Sequence, residues 1–168
     1  CHNREELIIG LHLAARYDRR ILVERGLDSP HEYEVAVLGN DDPSASIPGE
    51  VIPSEEFYSY HAKYEDERSQ LLIPAPLPQE TIAYLQQTAI AAFKAIDGSG
   101  MARVDFLMDR TTGEIFLSEI NTIPGFTKIS MYPKLWEASG LPYAALVDRL
   151  VELALQRNAD RDRTERQY

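Results

Sequence analysis

Ala102-Arg103-Val104-Asp105-Phe106-Leu107-Met108-Asp109, then Arg110-Thr111-Thr112-Gly113, then Glu114-Ile115-Phe116-Leu117-Ser118-Glu119-Ile120-Asn121 reads as two strands joined by a turn. Side chains of a strand alternate between faces, so Arg103, Asp105 and Leu107 share one face of the first strand. Leu117, Glu119 and Asn121 share one face of the second. If Asp105 stands opposite Glu119, Arg103 stands opposite Asn121 and four polar groups converge. That register calls for an odd number of turn residues, such as the five from Arg110 to Glu114, because a slip of one residue sends the carboxylates to opposite faces. Val104, Phe106, Met108, Phe116 and Ile120 form the expected core side.

Two carboxylates on so apolar a ribbon need a positive partner, since burying a lone carboxylate is costly. The spacing leaves two readings open. One is an Arg103–Glu119 salt bridge on a solvent-facing sheet. The other is a metal site, because Asp105, Glu119 and Asn121 make an all-oxygen donor set suited to Mg²⁺ or Mn²⁺.

Around the hairpin the chain alternates helices and strands. Asn3 is a candidate N-cap with Glu6 as its capping-box partner, and Leu7, Leu11, Ala14 and Ala15 recur at helical spacing. Ile21-Leu22-Val23 predicts a strand near 20–25, His31 to Leu38 a second, and Ala45 to Ile52 a third after the turn Gly39 to Pro43. Residues 53–78 are irregular, with Pro53, Pro74, Pro76 and Pro78 and a crowd of aromatics from Phe57 to Tyr64. Gln79 to Ile96 is the strongest helix, stopped by Asp97-Gly98-Ser99-Gly100. Two more helices are expected at 130–139 and 142–157, parted by Gly140, and a polar frayed tail from Asn158 to Tyr168. The order predicts an α+β domain with a largely antiparallel sheet flanked by helices.

Composition narrows the function. The 168 residues carry 44% hydrophobic and 26% charged side chains, as an ordinary globular protein does. A net charge of -10 argues against a nucleic-acid binder, which must neutralise phosphates with Lys and Arg. No apolar run approaches the ~20 residues of a membrane span, and the opening Cys1-His2-Asn3-Arg4 has no signal-peptide core. The one cysteine excludes an internal disulfide and fits a reducing, cytoplasmic setting. A chain that opens at Cys1 and enters a helix almost at once reads as a piece of something longer.

The runs Arg103-Val104-Asp105-Phe106-Leu107-Met108-Asp109 and Glu119-Ile120-Asn121-Thr122-Ile123-Pro124-Gly125-Phe126-Thr127 resemble the signature of D-alanine–D-alanine ligases of the ATP-grasp superfamily. Phe57-Tyr58-Ser59-Tyr60-His61-Ala62-Lys63-Tyr64 is similar to that family's active-site loop. Ile21-Leu22-Val23-Glu24 and Glu32-Tyr33-Glu34-Val35-Ala36-Val37-Leu38-Gly39 resemble its adenine hinge and the strand after it. The likeness covers about Asn3 to Leu155.

The resemblance implies an ATP-dependent joining of two D-alanines through an acyl phosphate, for peptidoglycan precursors. It implies ATP and two Mg²⁺ (or Mn²⁺) ions as cofactors, held by Asp105, Glu119 and Asn121. Glu24 and the backbone around Leu27 would take the adenine, Glu32 the ribose, Phe57 and Leu107 would wall the nucleotide pocket, and Lys63 would approach the phosphates. Arg103 and the Gly125 N–H would meet the oxyanion, with Ser130 and Met131 on the carboxylate of the second D-alanine. Tyr64 would go with a dipeptide product. Read without the family, Lys63 is a solvated lysine, Tyr64 a packing aromatic and Ser130 a helix cap.

By the same resemblance, residues 1–27 close a central lobe and the adenine hinge, 28–157 form the C-terminal ATP-grasp catalytic domain, and 158–168 are a tail. The N-terminal substrate domain is absent, so these residues alone should be inactive. Gly26 replaces a larger hinge residue found in many relatives. The alternatives are a ligase for another acceptor (D-lactate or D-serine) and a non-catalytic nucleotide-binding domain. D-alanine and ATP are the implied partners, no nucleic acid or membrane is expected, and a homodimer is among the assemblies allowed.

Overall fold

A computed structural model of the chain describes residues 1–52, 70–127 and 129–163. Phe57, Lys63 and Tyr64 lie outside the described residues. In chain order the elements are α1 (Arg4–Ala14), β1 (His31–Gly39), β2 (Ser44–Ala45), β3 (Gly49–Ile52), β4 (Gln70–Leu72), α2 (Gln79–Ala95), β5 (Gly100–Met108), β6 (Ile115–Asn121), α3 (Met131–Ala138) and α4 (Tyr143–Asp162). The strands make one antiparallel sheet in the order β4-β3-β1-β5-β6, with β2 also on β1. This is the α+β fold expected.

β1 is the spine of the sheet, paired along its length with β5 and on its other edge with β2 and β3. Tyr33, Val35 and Val37 face α2, meeting Leu85, Ala89 and Phe93 together with Ala102, Val104 and Phe106 of β5. Leu85, Ala89 and Phe93 recur every four residues, so one stripe of α2 supplies its whole buried face. Burying a side chain such as Phe93 stabilises by about 1.5–3 kcal/mol. Ala36 and Leu38 face the other way, beneath Met131, Tyr132, Leu135 and Trp136 of α3 and Leu146 and Leu153 of α4. The Tyr132 hydroxyl donates to the Val37 carbonyl at 2.9 Å, pinning α3 to the spine.

The expected strand from Ala45 to Ile52 is divided, because Pro48 has no N–H to give the ladder. Ser46 takes over where the pairing shifts. Its backbone N–H donates to the Ala36 carbonyl at 2.8 Å, and its hydroxyl accepts from the Ala36 N–H at 3.0 Å. α2 ends as expected, and Gly98 is needed there: a Cβ would lie 2.6 Å from the Phe93 ring.

Three expectations are corrected. Residues 20–25 form no strand, and Leu22 and Val23 are exposed, because no strand in the described residues pairs with them. The capping box at α1 is altered. Asn3 accepts from the Glu6 N–H at 2.9 Å, but Glu6 answers to the His2 N–H and the Asn3 side-chain amide rather than to the Asn3 backbone. Those bonds, His2 first, hold the Glu6 carboxyl below its ordinary value. The polar stretch from Asn158 continues α4 to Asp162, where charged side chains stay solvated and Arg161 sits favourably in the last turn. Among the described residues no helix is long and apolar enough to cross a membrane.

Candidate active-site cleft

The face of the sheet that carries Ala36 and Leu38 changes character along its length. Under α3 and α4 it is apolar. Farther along β1 the same alternation presents Glu34 and then Glu32, which lie across from Asp105 and Leu107 of β5. On the far edge of β5, Arg103 stands opposite Asn121 and Asp105 opposite Glu119. The sheet therefore continues out of its core into a polar cleft of about 230 Å³, walled by Glu32, Glu34, Asp105, Leu107, Ser118 and Glu119 among others.

The register arises differently from the expectation. Asp109 donates its N–H to the Glu114 carbonyl at 2.9 Å, which closes a four-residue turn, Arg110 to Gly113. That even turn alone would misalign the carboxylates. A bulge corrects it: Phe106 lies opposite Leu117 whereas Asp105 lies opposite Glu119, so Ser118 is an additional residue on β6. Between the turn and the bulge β6 is offset by one step. Phe116 consequently lies opposite Leu107 instead of joining the core side, Ile115 takes that place against Met108, and Leu117 leaves the Glu119 face. The turn is braced by Asp109, whose carboxylate accepts from Thr111 N–H at 2.7 Å and Thr112 N–H at 3.0 Å. These bonds, the one from Thr112 foremost, hold the Asp109 carboxyl below its usual range.

Arg103 braces two carboxylates of the cleft wall, Asp105 and Glu34. Its guanidinium forks onto Asp105, Nε donating to Oδ1 and Nη2 to Oδ2, each at 2.7 Å. The same Nε is 3.1 Å from Glu34 Oε2. Arg103 and Glu34 are each only 5% exposed, so this is a buried cluster rather than a surface ion pair. Arg103 thus pairs along its own strand with Asp105 and across the ladder with Glu34 of β1. Glu34 is the residue that sequence reasoning missed. The signal was an acidic side chain alternating with Tyr33, Val35 and Val37 on a strand buried on both faces.

Of the residues singled out in the sequence, the cleft wall gathers Glu32, Asp105, Leu107 and Glu119, with Arg103 against Asp105. Asn121 is half-buried at the end of β6, and its side-chain oxygen accepts from the Ile123 N–H at 3.2 Å. Gly125 is half-buried in the segment between β6 and α3, held by Pro124, which is buried, and by Phe126 against Tyr132 and Tyr143. Ser130 precedes α3 as expected of a cap, but its hydroxyl engages the Thr127 N–H at 3.0 Å and makes no cap bond. Met131 opens α3 with its side chain in the core. Glu24 is exposed and Leu27 half-buried in the segment before β1, which Arg110 ties to the hairpin turn by donating to the Ser29 carbonyl. None of these six lines the cleft.

Among the described residues no group of three or more His, Cys, Asp or Glu side chains is arranged to hold a metal ion. The cleft wall carries, among those residues, the carboxylates Glu32, Glu34, Asp105 and Glu119. Asp105 and Glu119 in the wall, and Asn121 two residues beyond Glu119 on β6, offer hard oxygen donors of the type that suits Mg²⁺ or Mn²⁺. The Arg103 fork takes one lone pair from each Asp105 oxygen and leaves the other lone pairs for a further partner.

The chain matches the family model described as the D-ala D-ala ligase C-terminus over residues 1–152. It is 59% identical over 163 residues to the D-alanine–D-alanine ligase of Thermoanaerobacter sp. (strain X514), covering 96% of this chain and 45% of that protein. It is 55% identical over 161 residues to the ligase of Heliobacterium modesticaldum, covering 96% and 44%. Among solved structures, the D-alanine–D-alanine ligase from Coxiella burnetii superposes with a TM-score of 0.83 at 42% identity, covering 96% of this chain and 42% of that one. The VanG D-Ala:D-Ser ligase from Enterococcus faecalis gives 0.76 at 34% identity, covering 90% and 43%. The chain thus spans less than half the length of these relatives.

Proposed function

This chain belongs to the D-alanine–D-alanine ligase family, and from that premise we propose that it supplies the nucleotide and metal half of an ATP-dependent ligase joining two D-alanines. The reading is carried by one observation: Asp105 faces Glu119 and Arg103 faces Asn121 on one side of the β5–β6 ribbon. In the proposed reaction the γ-phosphoryl of ATP passes to the carboxylate of the first D-alanine. The amine of the second then attacks the acyl phosphate, and phosphate leaves as the peptide bond forms.

Each residue has work to do in that scheme. Glu32 accepts from the ribose hydroxyls, Leu107 and Phe57 wall the nucleotide, and Glu24 with the Leu27 backbone reads the adenine edge. Asp105, Glu119 and Asn121 would hold two Mg²⁺ or Mn²⁺ ions, which neutralise phosphate charge when bound. Lys63 adds a further positive charge at the phosphates. Arg103 and the Gly125 N–H stabilise the oxyanion of the tetrahedral intermediate. Ser130 and the Met131 N–H, at the N-terminal end of α3, hold the second substrate's carboxylate, and Tyr64 favours an amine acceptor. Catalysis by positioning and charge neutralisation needs no protein nucleophile. In this reading the reaction runs in the cytoplasm, and its dipeptide serves peptidoglycan synthesis.

The test is the full-length protein with ATP, Mg²⁺ and D-alanine, followed by phosphate release and by chromatography of the product. D-serine and D-lactate are offered in parallel, since the likeness to a D-Ala:D-Ser ligase keeps a second acceptor in view. D-alanyl-D-alanine as the main product supports the proposal. Binding of ATP–Mg²⁺ without turnover of any acceptor would leave a non-catalytic nucleotide-binding domain.

A further inference from the structure

We propose that Glu34 is a positioning residue that retains Arg103 at the reacting centre while Asp105 serves as a metal ligand. The inference rests on the ligase reading above and adds a residue to it. Both oxygens of Asp105 accept from Arg103 at 2.7 Å. A carboxylate so engaged spends one lone pair of each oxygen on the guanidinium, and the positive charge beside it opposes a divalent cation on the lone pairs that remain. A metal on Asp105 therefore competes with Arg103 for the charge of one carboxylate and weakens the fork.

A buried guanidinium cannot shed its proton and is destabilised when its counter-ion withdraws. Glu34 answers that need. It lies directly across the β1–β5 ladder from Asp105, and its Oε2 is 3.1 Å from the Nε that also serves Asp105. Nε thus stands between two carboxylates, one on its own strand and one on the neighbour. When Asp105 turns toward metal, Arg103 shifts its weight to Glu34 and stays charged, ordered and close to the oxyanion. Glu34 occupies a site in β1 where Tyr33, Val35 and Ala36 are all buried, a place where sheet packing alone would favour an apolar side chain.

The experiment compares full-length wild type, Glu34→Gln and Glu34→Asp. Mn²⁺ binding is followed by electron paramagnetic resonance in the presence of a non-hydrolysable ATP analogue, alongside thermal unfolding and steady-state kinetics. Glu34→Gln is expected to weaken Mn²⁺ binding about tenfold or more, the range seen when a group supporting a metal ligand is lost. Its kcat should fall while KM for ATP holds. Glu34→Asp keeps the charge but withdraws it by one methylene, so a loss of about threefold or more there identifies the contact rather than the field. It also carries the test if Glu34→Gln does not fold. Mn²⁺ affinity within twofold of wild type in Glu34→Asp, or in a folded Glu34→Gln, overturns the inference whatever happens to the melting temperature. A wild type that makes no dipeptide overturns the ligase reading instead, and this inference with it.

Discussion

Asp105 stands opposite Glu119 across the β5–β6 ladder, one step beyond the bulge that Ser118 creates. The two carboxylates differ in setting: Asp105 is clasped by Arg103, whereas Glu119 is on the exposed rim of the cleft. Substitution should separate them. In the full-length protein Glu119→Gln is expected to lower kcat by about 10²–10³ with little change in stability, as for loss of one preorganised charge contact. Asp105→Asn should match that loss and also destabilise by about 1–3 kcal/mol, since it weakens a buried charged pair. Dipeptide synthesis and urea unfolding measured on both variants check the contrast; equal stability of the two would refute it.

Gly98 closes α2 against the ring it has just buried. A Cβ there would lie 2.6 Å from two ring atoms of Phe93 and 2.8 Å from the Phe93 carbonyl oxygen, which is backbone and cannot swing aside. Gly98→Ala should destabilise by about 1–3 kcal/mol, the usual cost of overfilling a packed site. At roughly 2–4 °C per kcal/mol for a chain of this size, calorimetry resolves the shift. An unchanged melting temperature would mean that the turn after α2 relaxes freely.

The core face of β5 was legible in the sequence because a period of two writes itself into the pattern of apolar side chains, and the extent of α2 was legible from the breakers that bound it. Where two partners had to agree, the pattern was silent. Ser118 has no composition that marks it as the additional residue of a bulge, so the turn length and the side of Phe116 could not be read. Ile21-Leu22-Val23 has strand-forming side chains, yet a strand exists only where a neighbour accepts its hydrogen bonds. The pairing of Arg103 with Glu34 joins residues far apart in sequence, and only the β1–β5 register brings them together. Asp105 and Glu119 were found because one hairpin holds both.

Tyr33 is buried beneath α2, and its hydroxyl is pushed from the ordinary 10.0 up to about 12, by burial first and by the neighbouring Glu50 charge second. A folded-state value above the unfolded one means that the unfolded chain loses this proton first. Stability from this group is therefore intact below pH 10 and is lost as the pH rises from about 10 through about 12. Tyr132, raised likewise by burial, acts in the same direction. Urea midpoints of wild type should fall between pH 8 and pH 11, and the fall should be smaller in Tyr33→Phe. An identical fall in the variant would show that the ring carries no such linkage.

Arg103→Lys tests whether the cleft needs the shape of the cation or only its charge. A guanidinium reaches both oxygens of Asp105 and Glu34 Oε2 from one planar group, through Nε and Nη2. An ammonium is a point donor that cannot reproduce this fork. The charge survives in the variant, so Asp105 and Glu34 still have a cation beside them and folding should hold. Orientation does not survive, and an oxyanion stabiliser acts through preorganised donors. The full-length variant is therefore expected to keep KM for ATP near wild type while kcat falls by about 10²–10³. Loss of ATP affinity in parallel with kcat would place Arg103 in nucleotide binding instead. Wild-type turnover would show that any cation suffices, and would remove Arg103 from the chemistry.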